Sequence, residues 1–116
     1  MASVEIGGPY RSVFKALAGA SKTTCYTVPP NKVARITQIR ITSATNSAGD
    51  ADVILYEASS GTEFWIANKL TVPASAGGAD LELKPLTLRT GDELRVRGAA
   101  SQHVIINMLE EPVRST

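Results

Sequence analysis

Pro85-Leu86-Thr87-Leu88-Arg89-Thr90-Gly91-Asp92-Glu93-Leu94-Arg95-Val96-Arg97 decides how this chain is read. Leu86 and Leu88 alternate with Thr87 and Arg89. Leu94 and Val96 alternate with Arg95 and Arg97. A period of two over several residues marks a strand with one buried face. The polar corner between the two runs contains a glycine, so the stretch predicts two short strands joined by a turn.

The same grammar extends in both directions. Residues 23–28 (TTCYTV) are rich in β-branched and aromatic side chains and predict a strand. Pro29-Pro30-Asn31-Lys32 stops it. Residues 33–45 form the longest candidate, but the apolar parity changes between Ala34/Ile36 and Ile39/Ile41. A β-bulge near Thr37-Gln38 would return both pairs to the core face. In residues 51–58, Val53-Ile54-Leu55-Tyr56 is apolar on both parities, so this strand is expected to be covered on both faces, within the domain or by a neighbouring subunit. Residues 63–72 return after a Ser59-Ser60-Gly61-Thr62 turn, with a break near Asn68-Lys69. Residues 80–88 slip parity at Lys84-Pro85, which points to a bulge or an edge. Residues 103–110 close the pattern and 111–116 read as a polar tail. Residues 10–17 (YRSVFKAL) fit both a helical turn and a strand; the all-β surroundings favour the strand.

The expected fold is therefore all-β: a single antiparallel β-sandwich or jelly roll of seven to eight strands. Residues 1–22 form an N-terminal arm or first strand, 23–111 the sandwich and 112–116 a C-terminal tail. Cutting away residues 2–20 is expected to spare the fold.

A length of 116 residues fits one domain that buries roughly two-thirds of its unfolded surface, enough for a core without a disulfide or metal. Twelve Lys and Arg against eleven Asp and Glu leave +1, without the basic stripe that nucleic acid or an anionic membrane would call for. The N-terminus, Met1-Ala2-Ser3-Val4-Glu5, has neither a basic region nor an apolar run, so synthesis in a cytoplasm is expected.

Catalytic chemistry is not encoded in any recognisable set. Cys25 and His103 are the only thiol and the only imidazole, with no glycine-rich nucleophile turn around the cysteine. Cys25 in a Thr-rich strand reads as a small core hydrophobe. Asn46, Asp50 and Asp52 lack the spacing of a calcium loop. Asp92-Glu93 beside Arg89, Arg95 and Arg97 reads as a solvated face with cross-strand ion pairs. No enzyme, cofactor or metal is expected. The one aromatic concentration is Phe64-Trp65 with Tyr56 on the preceding strand; one of Phe64 and Trp65 must face outward.

Thr27-Val28-Pro29-Pro30-Asn31-Lys32-Val33-Ala34-Arg35-Ile36-Thr37-Gln38-Ile39-Arg40-Ile41 resembles the "TVP-x-x-K-x-A-x-I-T-x-I" opening of small β-sandwich virion proteins of tailed bacteriophages. The resemblance continues through the "ILY" strand, the Val72-Pro73-Ala74 loop and the "L-x-x-GD-x-L-x-V" corner, covering about residues 23–110. It implies a structural protein of the virion: a capsid decoration, neck or tail accessory component that assembles with copies of itself and with a major capsid, neck or tail protein. The expected contact residues are Tyr10, Phe14, Ile54, Tyr56 and Trp65, with the arm reaching a neighbour. The alternative is a jelly-roll carbohydrate- or receptor-binding module, for which Trp65 would supply the stacking surface.

Overall fold

The computed structural model describes residues 10–19, 21–43, 49–73, 78–81, 86–99 and 102–113. Among these lie nine strands: β1 (Tyr10–Ala16), β2 (Thr23–Thr27), β3 (Lys32–Ser43), β4 (Gly49–Glu57), β5 (Thr62–Val72), β6 (Gly78–Leu81), β7 (Leu86–Leu88), β8 (Glu93–Arg97) and β9 (Gln102–Pro112). They pair as nested antiparallel hairpins. β4 lies beside β5, β3 beside β6 and β7, β2 beside β8, and β1 beside β9. Two further pairings, β3 with β9 and β4 with β8, roll this ribbon into two sheets. One has the order β1-β9-β3-β6, with β7 also on β3; the other is β2-β8-β4-β5. That order is a jelly roll. β6 and β7 share one place beside β3, so nine strands fill eight positions.

The alternation in each strand supplies the core between the sheets. β8 sends Leu94 and Val96 inward, β9 sends Val104, Ile106 and Met108, and β4 sends Ala51 and Val53. β3 needs the predicted bulge. Its register against β9 shifts between Ile36 and Gln38, so Ala34, Ile36, Ile39 and Ile41 all reach the core. Thr37, the extra residue, donates its hydroxyl to the Asn107 carbonyl (3.1 Å). The break near Asn68-Lys69 is a bulge within a continuous β5: the register against β4 shifts there, and Lys69 has φ 57°. The parity slip at Lys84-Pro85 lies outside the described residues.

The strand reading of residues 10–17 holds: β1 belongs to the sandwich itself, paired with β9 from Tyr10↔Leu109 to Ala16↔His103, and Leu17 after it is buried in the core. Other expectations need correction. Loss of residues 2–20 therefore removes an edge strand and a core side chain. Residues 1–9 of the arm lie outside the described residues. The last strand runs through Glu111 to Pro112, and Val113 still donates its amide to the Asn31 carbonyl (2.8 Å). The polar tail is correspondingly shorter. Asp92 is not a solvated acid. It is buried, and its carboxylate accepts the Ala58 amide (3.0 Å) and the Arg89 amide (2.9 Å).

Asp92 therefore pins two turns at one end of the sandwich. Its main-chain carbonyl takes the Val28 amide, while Gly91 donates to the Val28 carbonyl. Gly91 has φ +87°, a conformation in which a side chain is strained. Asp92→Ala leaves two amides without their acceptor. The expected loss is about 1–3 kcal/mol in a urea melt; an unchanged midpoint would refute the pinning role.

Candidate docking surface

Each sheet has an outer face, and the two differ in kind. On the β2-β8-β4-β5 sheet, Thr24, Arg95, Ile54 and Trp65 form one row across the strands. Ile54 points away from the core yet has no exposure to solvent. The cover comes from its own chain. Arg95 lies over the Tyr56 ring (4.1 Å), Arg97 over the Trp65 ring (5.0 Å) and Lys22 also over Trp65 (5.7 Å). Each such contact is worth about 0.5–1 kcal/mol at a surface site.

Carboxylates fix these cations in place. Glu63 accepts from Lys22 Nζ (2.7 Å) and Arg95 Nη1 (2.8 Å). Glu93 accepts from Arg95 Nε (2.9 Å) and the Thr24 hydroxyl (3.1 Å). Asp52 accepts from Arg97 Nε (3.0 Å) and Nη2 (2.8 Å) through one oxygen, and from the Lys69 amide (2.7 Å) through the other. That last bond holds Lys69 in its left-handed conformation. It also commits Asp52 to a structural role, while Asp50 is exposed and Asn46 lies outside the described residues.

These contacts shift titrations. The hydrogen bonds from Lys22 and Arg95 hold Glu63 below the ordinary carboxylate range. Burial pushes Asp52 upward, but the Lys69 amide and Arg97 outweigh it and leave the carboxyl low. Burial likewise opposes ionisation of Glu110, and is outweighed by the Tyr26 hydroxyl (2.6 Å) and by Arg11 and Lys32. Tyr26 is pushed well above its usual value by burial and by that same bond to Glu110.

The β1-β9-β3 sheet is different. Tyr10, Ser12, Phe14 and Ala16 stand on its outer face opposite Leu109, Asn107, Ile105 and His103. Tyr10 is 70% exposed and Phe14 72%. Ile105 and Leu109 are half-buried, and β3 adds Val33 and Arg35 to the same face. Three shallow clefts open here. One is lined by Val33, Arg35, Thr87, Leu109 and Glu111, the second by Phe14, Thr42, His103 and Ile105, and the third by Tyr10, Ser12, Thr37 and Asn107. Tyr10 beside Leu109 and Phe14 beside Ile105 leave two exposed aromatic rings on this face, with the hydrogen-bonded Ser12–Asn107–Gln38 row between them; exposed large apolar groups of this kind are the feature that interaction sites share.

The five expected contact residues thus divide. Tyr10 and Phe14 share the open face. Ile54, Tyr56 and Trp65 belong to the covered one, where Trp65 is 45% exposed and serves as part of the lid. Phe64 points to the other side of the edge strand β5 and stays half exposed, outside the core cluster. Leu109 and Ile105 are not among the expected contacts, although Ile105 and Leu109 alternate out of phase with Val104, Ile106 and Met108 in β9. Arg35 points outward, as the bulge in β3 implies, but is not among the expected contact residues.

Cys25 and His103 do not meet. Cys25 is buried and burial pushes its thiol up to about 11, while His103 is exposed on the outer face of the other sheet. Among the described residues no three His, Cys, Asp or Glu side chains are grouped to hold a metal ion. Comparison with known proteins finds no matching family model, no matching curated protein and no matching solved structure.

Two outcomes follow for the covered face. Ile54→Ala should cost about 2 kcal/mol, the low end for such a truncation because the side-chain lid can settle. It should not alter the protein's mass in solution, and a changed mass would mean that Ile54 faces a partner. The lowered carboxyls stabilise the fold above the ordinary carboxylate range of about 4. That stability is lost as pH falls through their depressed folded-state values. Tm should stay level from about pH 7 to 5 and drop below about pH 4; a Tm that rises on acidification contradicts this account.

Proposed function

We propose that this chain is a structural component of a tailed-phage virion, a capsid decoration, neck or tail accessory protein that works by protein–protein assembly without catalysis. The observation that carries the reading is the open β1-β9-β3 face with its exposed Tyr10 and Phe14. It joins a two-sheet body to exposed aromatic rings on either side of a polar row, and that pairing suits docking rather than turnover. The resemblance of residues 23–110 to small phage virion proteins supplies the setting. Its expected partners are copies of itself and a major capsid, neck or tail protein, and its place of action is the particle.

The carbohydrate-binding alternative needs an open stacking surface on Trp65. Cations already lie over that ring, and Glu63 and Asp52 hold them there. No feature of the site favours a sugar over a protein partner.

The test is mass spectrometry of particles purified on a density gradient from a lysate that contains this chain. Its peptides should band with the particles. Confinement to the unsedimented fraction overturns the proposal. A Tyr10→Ser/Phe14→Ser variant should keep its circular dichroism and lose incorporation, since central aromatic anchors are worth about 2 kcal/mol or more each.

A further inference from the structure

The cleft at one end of the open face carries a charge pattern that a second copy of the chain would satisfy. Arg35 on β3 and Glu111 on β9 both stand on this face and both are exposed. Among the described residues neither side chain takes an ion pair or hydrogen bond. They sit on a diagonal. Arg35 is opposite Leu109 in the ladder, and Glu111 is opposite Val33. The other diagonal, Val33 to Leu109, is therefore apolar and half-buried, and the cleft opens over these four residues.

We propose that two copies dock face to face through this surface, about a two-fold axis lying between the sheets along the Val33–Leu109 diagonal. This rests on the self-assembly reading above and names its partner and contact. A two-fold interface uses the same patch twice, so residue i meets residue j and j meets i. With the axis on that diagonal, Arg35 of each copy faces Glu111 of the other. Leu109 and Val33 meet their own counterparts at the centre. Tyr10, in the same ladder row as Leu109 and Arg35, lies beside this centre, and the same axis brings its ring over the Asn107 position of the other copy. The result is an apolar centre with two reciprocal ion pairs at its rim, the usual anatomy of a specific interface. Self-docking by any arrangement that faces Arg35 with Arg35 is repelled, so the charges also select the orientation.

The pattern permits a decisive exchange. Arg35→Glu gives a chain with two acids at the rim, and Glu111→Arg gives one with two bases. Light scattering behind a sizing column should show the wild type at twice the chain mass and each single variant at the chain mass, with unchanged circular dichroism. An equimolar mixture of the two variants should return to twice the chain mass, because each acid then meets a base. A monomeric wild type, single variants that keep the doubled mass, or a mixture that stays monomeric each overturns the interface. If the chain bands with particles but fails this test, the interface alone is wrong. Absence from particles removes the assembly reading beneath it.

Discussion

The β3–β9 ladder is the constraint on which the rest of the molecule depends. It runs from Lys32↔Pro112 to Ser43↔Gln102 and joins parts of the chain roughly seventy residues apart. The local hairpin β4–β5 can form early, because its turn is short. Gly61 takes a φ of +68° there and returns its amide to the Glu57 carbonyl at 2.8 Å. The outer hairpins of the nest close only when β9 arrives. Long-range pairing of this kind must meet a loop-closure cost before its contacts offset it. β9 then lies between β1 and β3, and the sheet with the exposed Tyr10 and Phe14 is complete only when the last strand is in place.

One residue in that ladder controls which face is which. Without the bulge at Thr37, Ile39 and Ile41 would point to solvent and Gln38 and Arg40 to the core. β6 pairs with Ile39–Thr42 and β7 with Ala34–Ile36, so the facing strand is divided at the same level as the bulge. Burying the four apolar side chains of β3 thus determines the irregularity opposite it. The outer face of this sheet inherits its geometry from the same point: Val33 and Arg35 precede the shift, and Gln38, Arg40 and Thr42 follow it on the same side.

Much of this is written in the sequence at short range. The alternation in Leu94–Val96, the parity change around Thr37 and the glycine at the Asp92 corner are local signals, and each maps onto the structure. Three features were not legible. Residues 10–17 carry both periods, and the choice of strand depends on β9, nearly a hundred residues later. Asp92 resembles its charged neighbours in sequence, and its burial arises only because the Ala58 turn folds against it. Ile54 reads in the sequence as covered, either within the domain or by a neighbouring subunit. It lies in the ladder between Arg95 and Trp65, and Lys22 and Arg97 lie over the Trp65 ring, side chains from three separated segments that no periodicity connects. A strand apolar on both parities announces that both faces are covered; it does not say by what.

Edge and face offer two different ways for this sandwich to meet a neighbour, and the sequence of β1 discriminates between them. β1 is an edge strand, a template for strand addition. Its inward-parity positions include Arg11 and Lys15, opposite Met108 and Val104. Arg11 is tied to Glu110 at 2.9 Å and lies over the Tyr26 ring. Inward charges on an edge strand are a known defence against edge-to-edge pairing, because an added strand would have to desolvate or displace them. The outward positions of the same strand, Tyr10 and Phe14, carry no such guard. On the opposite sheet the aromatic rings lie under cations that carboxylates hold in place. Of the surfaces this chain presents, the edge is guarded by charge and one face is roofed by its own side chains. On the β1-β9-β3 face, Tyr10 and Phe14 stand exposed on either side of the hydrogen-bonded Ser12–Asn107–Gln38 row, so apolar area can leave water at either end of that row while its bonds are kept.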